Sequence, residues 1–251
     1  MKQNITSKES KEITTYPIVA SMKTAVLVDL SFFIQRYNTL KKIDEMTPEE
    51  LAKRLKDYVW ESIKRNKDYL YRVYVYDCEP LDKNVPMPPI NKTDKSKNLG
   101  KTSTFKFRTK LLEYLRQQPY FAIRLGEIDE NAFQWKLKDY KKFIQILRKE
   151  IDIDTLRDED FTLDIRQKGV DIKIGLDIAT LANKHQVEKI ILITADSDFI
   201  PAIKHARKES VIVQLDPMQT PNTQIKKGLL EHIDLLSSVF PSKNNRINNV
   251  F

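Results

Sequence analysis

Two aspartates, Asp196 and Asp198, stand one residue apart, directly after an apolar run that spans residues 189–194. Consecutive aliphatic residues bounded by charge are typical of a strand that is buried on both faces of a parallel sheet. Open α/β sheets bind their ligands at the carboxyl ends of such strands. Because two neighbouring carboxylates raise each other's pKa unless a positive charge joins them, this spacing predicts metal-dependent chemistry.

Three further aspartates stand at the end of a predicted strand or near the start of a predicted helix. Asp29 ends the apolar stretch 23–29, Asp171 opens a predicted helix, and Asp177 lies in that same helix among apolar neighbours. The ends of parallel strands lie side by side, so roughly three to five of these carboxylates can converge on an oxygen-only site, which suits Mg²⁺ or Mn²⁺ rather than Zn²⁺. Such ions activate a water and bind the attacking and leaving oxygens of a phosphodiester. A helix cap is the alternative role for Asp171 or Asp198.

The composition excludes several other classes of protein. The single cysteine, Cys78, cannot form a disulfide framework or a cysteine-based zinc site. The three histidines are scattered along the chain, which argues against a zinc enzyme. With 41% apolar residues the chain can bury a substantial core. No signal peptide or membrane-spanning apolar run is visible, so we expect a cytosolic protein.

Positive charge is concentrated in residues 83–110, where eight basic residues stand against one acid, Asp94, within a chain whose net charge is +8. Such a segment attracts polyanions, of which nucleic-acid backbones are the most common in a cytosol. A solvated loop whose lysines only maintain solubility is the alternative. The candidate nucleic-acid contacts in this segment are Lys92, Lys95, Lys97, Lys101, Lys106 and Arg108.

Strands and helices alternate along the chain, which predicts an α/β fold with a mostly parallel sheet and helices on both faces. Strands are predicted at 23–29, 70–76, 120–125, 189–194 and 211–215, and helices from Thr47 with a capping box to Glu50, and at 105–118, 135–148, 171–185, 199–207 and 223–239. We expect one domain over residues 21–240, between a disordered leader at 1–20 and a flexible tail at 241–251. Within it we expect a basic loop at 77–103 and a helical insertion at 127–164, which is a lid, a homo-oligomer contact or a binding site for a protein partner.

Two segments resemble the signatures of NYN domains, which are relatives of the PIN-like nucleases. Residues 168–177 resemble the K-G-V-D-(x)5-D signature of that family, and residues 194–203 resemble its (S/T)-x-D-S-D-F-x-P signature. Asp29 stands where the family has its first acidic residue, and residues 74–77 are similar to its second strand. The resemblance extends over about residues 23–239.

This resemblance implies a PIN-like α/β fold, a Mg²⁺ or Mn²⁺ site and ribonuclease activity. It implies Asp29, Asp171, Asp196 and Asp198 as metal ligands and catalytic residues, and Asp177 as a further ligand or a partner of the ligands. Many NYN domains read D-G-x-N after the first strand, whereas this chain has Leu30, Ser31 and Phe32 after Asp29. Ser31 either replaces part of the missing polarity near the substrate or is an ordinary turn residue.

Other folds with acidic or glycine-rich motifs do not match. A haloacid-dehalogenase phosphatase needs D-x-D after the first strand, where this chain has Asp29, Leu30 and Ser31. An adhesion-type metal site needs D-x-S-x-S, and Phe33 stands at the position of the second serine. A dinucleotide or P-loop fold needs a glycine-rich turn, and the five glycines of this chain are too scattered to supply one. Two functions therefore stand: a metal-dependent endonuclease with RNA as the expected substrate, or an RNA-binding or regulatory module of the same fold. We favour the enzyme because clustered charge without a cation is costly.

Overall fold

The computed structural model of the chain describes residues 21–41, 46–88, 95–218 and 225–239, which are built around a seven-stranded sheet. The strand order is β6-β5-β2-β1-β7-β8-β9, in which β6 alone runs antiparallel to its neighbour. The strands are β1 (Lys23–Asp29), β2 (Tyr69–Cys78), β3 (Asn84–Pro86), β4 (Ser96–Asn98), β5 (Phe121–Leu137), β6 (Phe161–Lys168), β7 (Lys189–Ile193), β8 (Ile212–Asp216) and β9 (Leu235–Leu236). The α-helices are α1 (Leu30–Lys41), α2 (Pro48–Asn66), α3 (Ser103–Arg116), α4 (Tyr140–Leu147), α5 (Val170–Asn183), α6 (Ile200–Lys208) and α7 (Lys227–Leu230).

Hydrophobic cores lie on both faces of this sheet. On one face, alternate residues of β1 such as Val26 and Val28 pack with α1, α2 and α3. On the other face, Ala25 and Leu27 pack with α5, α6 and α7. Every residue of β7 is buried, as expected for a strand covered on both sides. The structure thus confirms the predicted α/β fold with a mostly parallel sheet between two layers of helices.

The helix α2 begins as the sequence predicts. The Thr47 side chain accepts a hydrogen bond from the Glu50 backbone N–H at 3.2 Å, and the Glu50 carboxylate accepts one from the Thr47 backbone N–H at 2.8 Å. These reciprocal bonds satisfy two donors that the first turn of a helix otherwise leaves free. At the other end of α2, Lys67 adopts a left-handed conformation with a φ of 57°, and the chain turns into β2.

Residues 121–137 form a long strand rather than the start of a helix, so the helix predicted at 135–148 is wrong in its first part. The first half of β5 pairs with β2, and its second half pairs with β6, where Trp135 faces Leu163 in the register. Phe133, Trp135 and Leu137 alternate with polar residues, which is the period of a strand. Only α4 is helical in this segment apart from two short 3-10 turns, and β5, β6 and α4 together form what we call the arm.

The helix predicted at 223–239 is also largely wrong. Helix α7 covers only Lys227–Leu230, and the chain then forms β9 against β8. The Asp234 carboxylate accepts a hydrogen bond from the Val213 backbone N–H at 2.8 Å, which brings this segment to the edge of the sheet. Pairing with that edge overrides the local helical pattern. Residues 223 and 224 lie outside the described ranges.

The predicted basic loop contains regular structure. Strands β3 and β4 form an antiparallel hairpin, and residues 99–101 form a 3-10 turn before α3. The Trp135 indole N–H donates a hydrogen bond of 2.7 Å to the Pro86 carbonyl, which joins the hairpin to the arm. The predicted leader at 1–20, the tail from 241 and Lys92 lie outside the described residues. The division into these regions stays a prediction. No helix in the described ranges is both long and apolar enough to cross a membrane.

At Gly126, β5 passes very close to the start of α5. A Cβ atom at this position would lie 2.6 Å from the Lys168 carbonyl oxygen and 2.7 Å from a methyl carbon of Val170. We expect Gly126→Ala to lower the free energy of unfolding by about 1–3 kcal/mol, since backbone must shift to make room. Urea denaturation measures this change.

Gly175→Ala is the matched control. Gly175 lies in the middle of α5, and its added Cβ would come within 4 Å only of Ala202 of α6, at 3.9 Å. This substitution should stabilise the protein by about 0.5–1 kcal/mol, the usual gain of alanine over glycine within a helix. Equal stability of the Gly126→Ala variant and the unmodified protein would show that β5 and α5 are not tightly packed at this point.

Candidate active site

The sheet brings three acidic strand ends to the same edge. Asp29 is the last residue of β1, and in the parallel register it lies opposite Tyr76 of β2, one residue before Asp77. On its other side, Val28 pairs with Ile193, the last residue of β7. Because β1, β2 and β7 are neighbouring parallel strands, Asp29, Asp77 and the segment that follows Ile193 all lie at the carboxyl edge of the sheet.

Asp171 reaches this edge from β6 through a glycine turn. Gly169 has a φ of 79°, a left-handed conformation that residues with a side chain rarely adopt, and α5 begins with the next residue. Asp171 therefore lies in the first turn of α5, where its side chain is exposed and, among the described residues, accepts no hydrogen bond. Gly169 occupies the cap position, so the helix-cap alternative for Asp171 does not apply.

Asp196 and Asp198 lie in the connection from β7 to α6. The Asp196 carboxylate accepts a hydrogen bond from the Asp198 backbone N–H at 3.0 Å and thereby caps the 3-10 turn Ser197–Phe199. The Asp198 side chain is exposed, and the cap role belongs to Asp196 instead. Buried Phe199 packs in the core under this turn and fixes both aspartates relative to the sheet.

The pKa values show that these carboxylates act on one another. Burial is the main cause that raises the pKa of Asp29, and the negative charges of Asp171 and Asp77 raise it further, against the hydrogen bond from the Phe32 backbone N–H. The Asp171 side chain is exposed, but partial loss of its hydration raises its pKa, and the charges of Asp196 and Asp198 raise it further. The structure therefore places the predicted residues Asp29, Asp171, Asp196 and Asp198 at the same edge of the sheet, with Asp77 as a fifth member. We call these five residues the carboxylate cluster.

The Asp177 side chain forms hydrogen bonds with residues outside the carboxylate cluster. Its carboxylate accepts a hydrogen bond of 2.8 Å from the Tyr76 hydroxyl and one of 3.1 Å from Arg124 Nε. Arg124 also lies over the ring of Tyr74 at 5.3 Å from the ring centroid. These contacts connect α5 to β2 and β5, so the proposed role of Asp177 in catalysis stays a prediction.

Arg108 and Ser31, both predicted to contact nucleic acid, meet at Asp77. Arg108 Nη2 donates hydrogen bonds to Asp77 Oδ1 at 2.7 Å and to Ser31 Oγ at 3.2 Å. Burial raises the pKa of Asp77, while the Arg108 charge lowers it. From the sequence, Asp77 was assigned to the end of a strand but not to the site. The signal that could have found it was the same as for Asp29, an aromatic or apolar strand that ends on a carboxylate.

The other predicted basic contacts are distributed differently. Lys97, Lys101 and Lys106 are exposed. Lys95 forms an ion pair with Asp158 at 3.3 Å, which uses its charge within the chain. A basic residue that the prediction missed is Lys226, whose Nζ donates a hydrogen bond to Ser197 Oγ at 3.0 Å, between the two aspartates of that turn. No sequence motif singles out Lys226, because its position depends on the path of the chain after β8.

A second buried acid, Asp216, was also not among the residues singled out from the sequence. It ends β8, opposite Ile193. Its two carboxylate oxygens share the hydrogen of the Tyr58 hydroxyl at 2.9 and 2.8 Å, and one of them also accepts a hydrogen bond of 2.9 Å from the Met218 backbone N–H. Burial raises the pKa of Asp216 to about 6, against these hydrogen bonds. Its oxygens thus anchor α2 and the loop after β8, which is a structural role.

The donor chemistry of the cluster suits a hard divalent cation. Its side chains offer only carboxylate oxygens, which Mg²⁺ and Mn²⁺ prefer. Asp77 Oδ2 is buried without a hydrogen-bond partner in the described part of the chain, a costly state that a nearby cation would relieve. Within the same ranges, however, no three acidic, histidine or cysteine side chains are close enough to enclose an ion.

The comparison with protein families agrees with this architecture. The family model of the NYN domain matches residues 91–227, more than half of the chain. The chain belongs to the NYN domain family. No curated protein and no solved structure matches it. The matched span of this NYN domain contains Arg108, Asp171, Asp196 and Asp198, and the fold adds Asp29 and Asp77 from outside that span. The family is related to the PIN-like nucleases, which usually use divalent metals.

The raised pKa of Asp29 predicts that neutralising this residue stabilises the protein without metal. Asparagine caps a helix as well as aspartate does, so Asp29→Asn should keep the hydrogen bond from Phe32 and remove the charge. Because the native state raises this pKa above 3.8, the charged form costs stability as the pH rises through and above that value. The variant should therefore have the higher Tm at neutral pH in EDTA, and the difference should vanish below about pH 3.

Thermal denaturation across this pH range, with and without millimolar Mn²⁺, checks the prediction. Mn²⁺ should raise the Tm of the unmodified protein more than that of the variant, because binding to the native state alone stabilises it. The control is Asp139→Asn, which changes an exposed aspartate that caps α4 through the Lys141 N–H at 2.8 Å. A pH-independent difference for Asp29→Asn, or equal Mn²⁺ shifts, would contradict the electrostatic origin.

Proposed function

We propose that this NYN domain is a metal-dependent endoribonuclease that hydrolyses RNA phosphodiester bonds with Mg²⁺ or Mn²⁺. The observation that supports this most directly is the carboxylate cluster, in which the charges of Asp171 and Asp77 raise the pKa of Asp29, and the charges of Asp196 and Asp198 raise the pKa of Asp171. A fold that only needs to be stable has no reason to gather these charges, since each adds to the cost of the others.

The proposed ligands are Asp29, Asp171, Asp196 and Asp198. In protein sites Mg²⁺ is often held by one or two carboxylates, while waters and substrate phosphates complete its coordination. Such a shared arrangement does not require three side chains to enclose the ion beforehand. When bound, the ion supplies an activated water and stabilises negative charge at the phosphate.

The residues of the chain itself hold these oxygens in place. The Phe32 backbone N–H bonds one Asp29 oxygen at 3.0 Å, and the Asp198 backbone N–H bonds one Asp196 oxygen at 3.0 Å. Each bond orients its carboxylate and leaves the other oxygen of that group for a ligand. Gly169 sets the direction in which the chain enters α5 and thus the position of Asp171.

Basic residues near the cluster are proposed to guide RNA toward it. Exposed Lys97 and Lys101 precede α3, and exposed Lys106 lies in α3, the helix that also carries Arg108. Lysines on the surface attract the phosphate backbone without reading its sequence. Arg108 then marks the place where this basic segment meets the carboxylate cluster.

An RNA-binding module without activity is the second candidate. The observation in its favour is that the described residues hold no three potential ligands close enough to enclose an ion. The polar D-G-x-N motif of many NYN domains is also replaced by Asp29, Leu30, Ser31 and Phe32. This alternative retains the basic segment and assigns the acids to folding or regulation.

Cleavage of end-labelled single-stranded RNA separates the two candidates. Duplex RNA and single-stranded DNA serve as comparators, in Mg²⁺, Mn²⁺ or EDTA. We expect cutting that requires the metal and that falls by at least about 100-fold in Asp196→Asn, because even residues that only support metal ligands contribute about 10- to 100-fold. Asp139→Asn is the control. A folded protein that binds RNA but cuts none of the substrates would support the binding module.

Neutralising the exposed lysines should weaken RNA binding in a salt-dependent way. For the triple variant Lys97→Ala, Lys101→Ala and Lys106→Ala, we expect the slope of log affinity against log salt to fall by about 0.7 for each phosphate that the protein no longer neutralises. Lys53→Ala with Lys64→Ala, two exposed positions on α2, is the control pair. An unchanged affinity and slope would reject the guiding role and favour the solvated-loop alternative.

A further inference from the structure

Arg108 is held at the cluster by only one of its nitrogens. Nη2 donates to both Asp77 and Ser31, which uses the two hydrogens that this nitrogen carries. A guanidinium group has five N–H donors, so those on Nε and Nη1 are left. Among the described residues none accepts a hydrogen bond from these two nitrogens, and the side chain is 19% exposed. Arg108 thus has a partly accessible guanidinium group with unused donors on two of its nitrogens.

Asp77 fixes this guanidinium group in position. Its side chain has no exposed surface, and its Oδ1 accepts the 2.7 Å bond from Arg108. Moving Arg108 away would leave a buried carboxylate without a compensating charge, which is strongly unfavourable. The guanidinium is therefore confined to one place rather than free to sample the surface as a lysine in the basic segment does.

This place adjoins the proposed reaction centre. The charge of Asp77 acts directly on Asp29, and Ser31, the second acceptor for Arg108, stands two residues after Asp29. A positive group at this position offsets part of the negative charge of the cluster. Without such compensation, a phosphate that approaches Asp29 and Asp77 would meet the repulsion of both negative charges.

We propose, as an extension of the proposed function, that Arg108 forms a subsite for a single phosphate of the nucleic-acid backbone, and that Asp77 is the residue that positions it. An N–H group of Nη1 or of Nε can donate to an oxygen of this phosphate while Nη2 keeps its bonds to Asp77 and Ser31, and the positive charge makes that hydrogen bond a charge-assisted one. Ser31 is the second anchor of the guanidinium, which gives its hydroxyl a role in the motif that replaces D-G-x-N.

The alternative is an ion pair that only stabilises the fold, and it predicts a different pattern. Loss of a structural pair lowers stability but leaves phosphate binding by the folded fraction unchanged. Arg116 and Glu79 offer a matched control, since they form an exposed ion pair of 3.2 Å between the same helix, α3, and the residue two positions after Asp77. The control variants are Arg116→Ala, Arg116→Lys and Glu79→Gln.

The experiment measures the binding of single-stranded RNA by the full chain in EDTA, and its cleavage in Mn²⁺. Arg108→Ala should reduce the salt slope of binding by about 0.7, the value for one neutralised phosphate. Arg108→Lys keeps the charge, so its slope should stay the same while its affinity falls. Asp77→Asn should reduce kcat/KM by about 10- to 100-fold, because a misplaced positioning group costs this much. Ser31→Ala should show a smaller reduction in the same direction.

The outcomes distinguish this inference from the proposed function. If the protein cleaves RNA, and the variants of Arg108 and Asp77 bind and cleave as the Arg116 and Glu79 controls do, the subsite is overturned while the nuclease stands. If it cleaves nothing, but Arg108→Ala alone lowers the salt slope by the value for one phosphate, the subsite is supported and the nuclease fails. Should Asp77→Asn not fold, Arg108→Lys decides: an affinity equal to that of the unmodified protein would overturn the subsite.

Discussion

Repulsion among carboxylates at the carboxyl edge of a parallel sheet is the constraint on which the rest of this structure depends. Asp29, Asp171, Asp196 and Asp198 come from three different connections, and their charges raise the pKa values of Asp29 and Asp171. Such an arrangement opposes folding, so it needs a scaffold stable enough to hold it. The sheet supplies this scaffold because β1 and β7 are buried on both faces, between two separate hydrophobic cores.

The local devices around the cluster share one physical purpose, which is to fix charged oxygens without neutralising all of them. Backbone N–H groups bond one oxygen of Asp29 and one of Asp196. Gly169 turns the chain so that Asp171 follows in the first turn of a helix. Arg108 offsets the buried charge of Asp77 through a single nitrogen. Each device leaves part of the polar surface unused, which is the property that a site for a cation and a phosphate requires.

Most of the sheet and four members of the cluster could be predicted from the sequence, and the errors have a common cause. The prediction at 135–148 followed a helical pattern, whereas Trp135 belongs to a strand whose partner, Leu163, is distant in sequence. The prediction at 223–239 failed in the same way, since β9 exists only through its pairing with β8. Local pattern is ambiguous where a segment can satisfy either period, and the neighbouring strand then decides.

The sequence by itself determined the alternation of strands and helices, the capping box of α2 and the two acidic motifs, because each of these is a signal carried by residues close together in the chain. Only the tertiary structure decided that Asp77 joins the cluster, that Arg108 is fastened to it, and that Asp177 is engaged by Tyr76 and Arg124. The sequence separation is 31 positions between Arg108 and Asp77, 101 between Tyr76 and Asp177, and 53 between Arg124 and Asp177. The existence of these contacts depends on the strand order and register of the folded sheet, which no local pattern encodes.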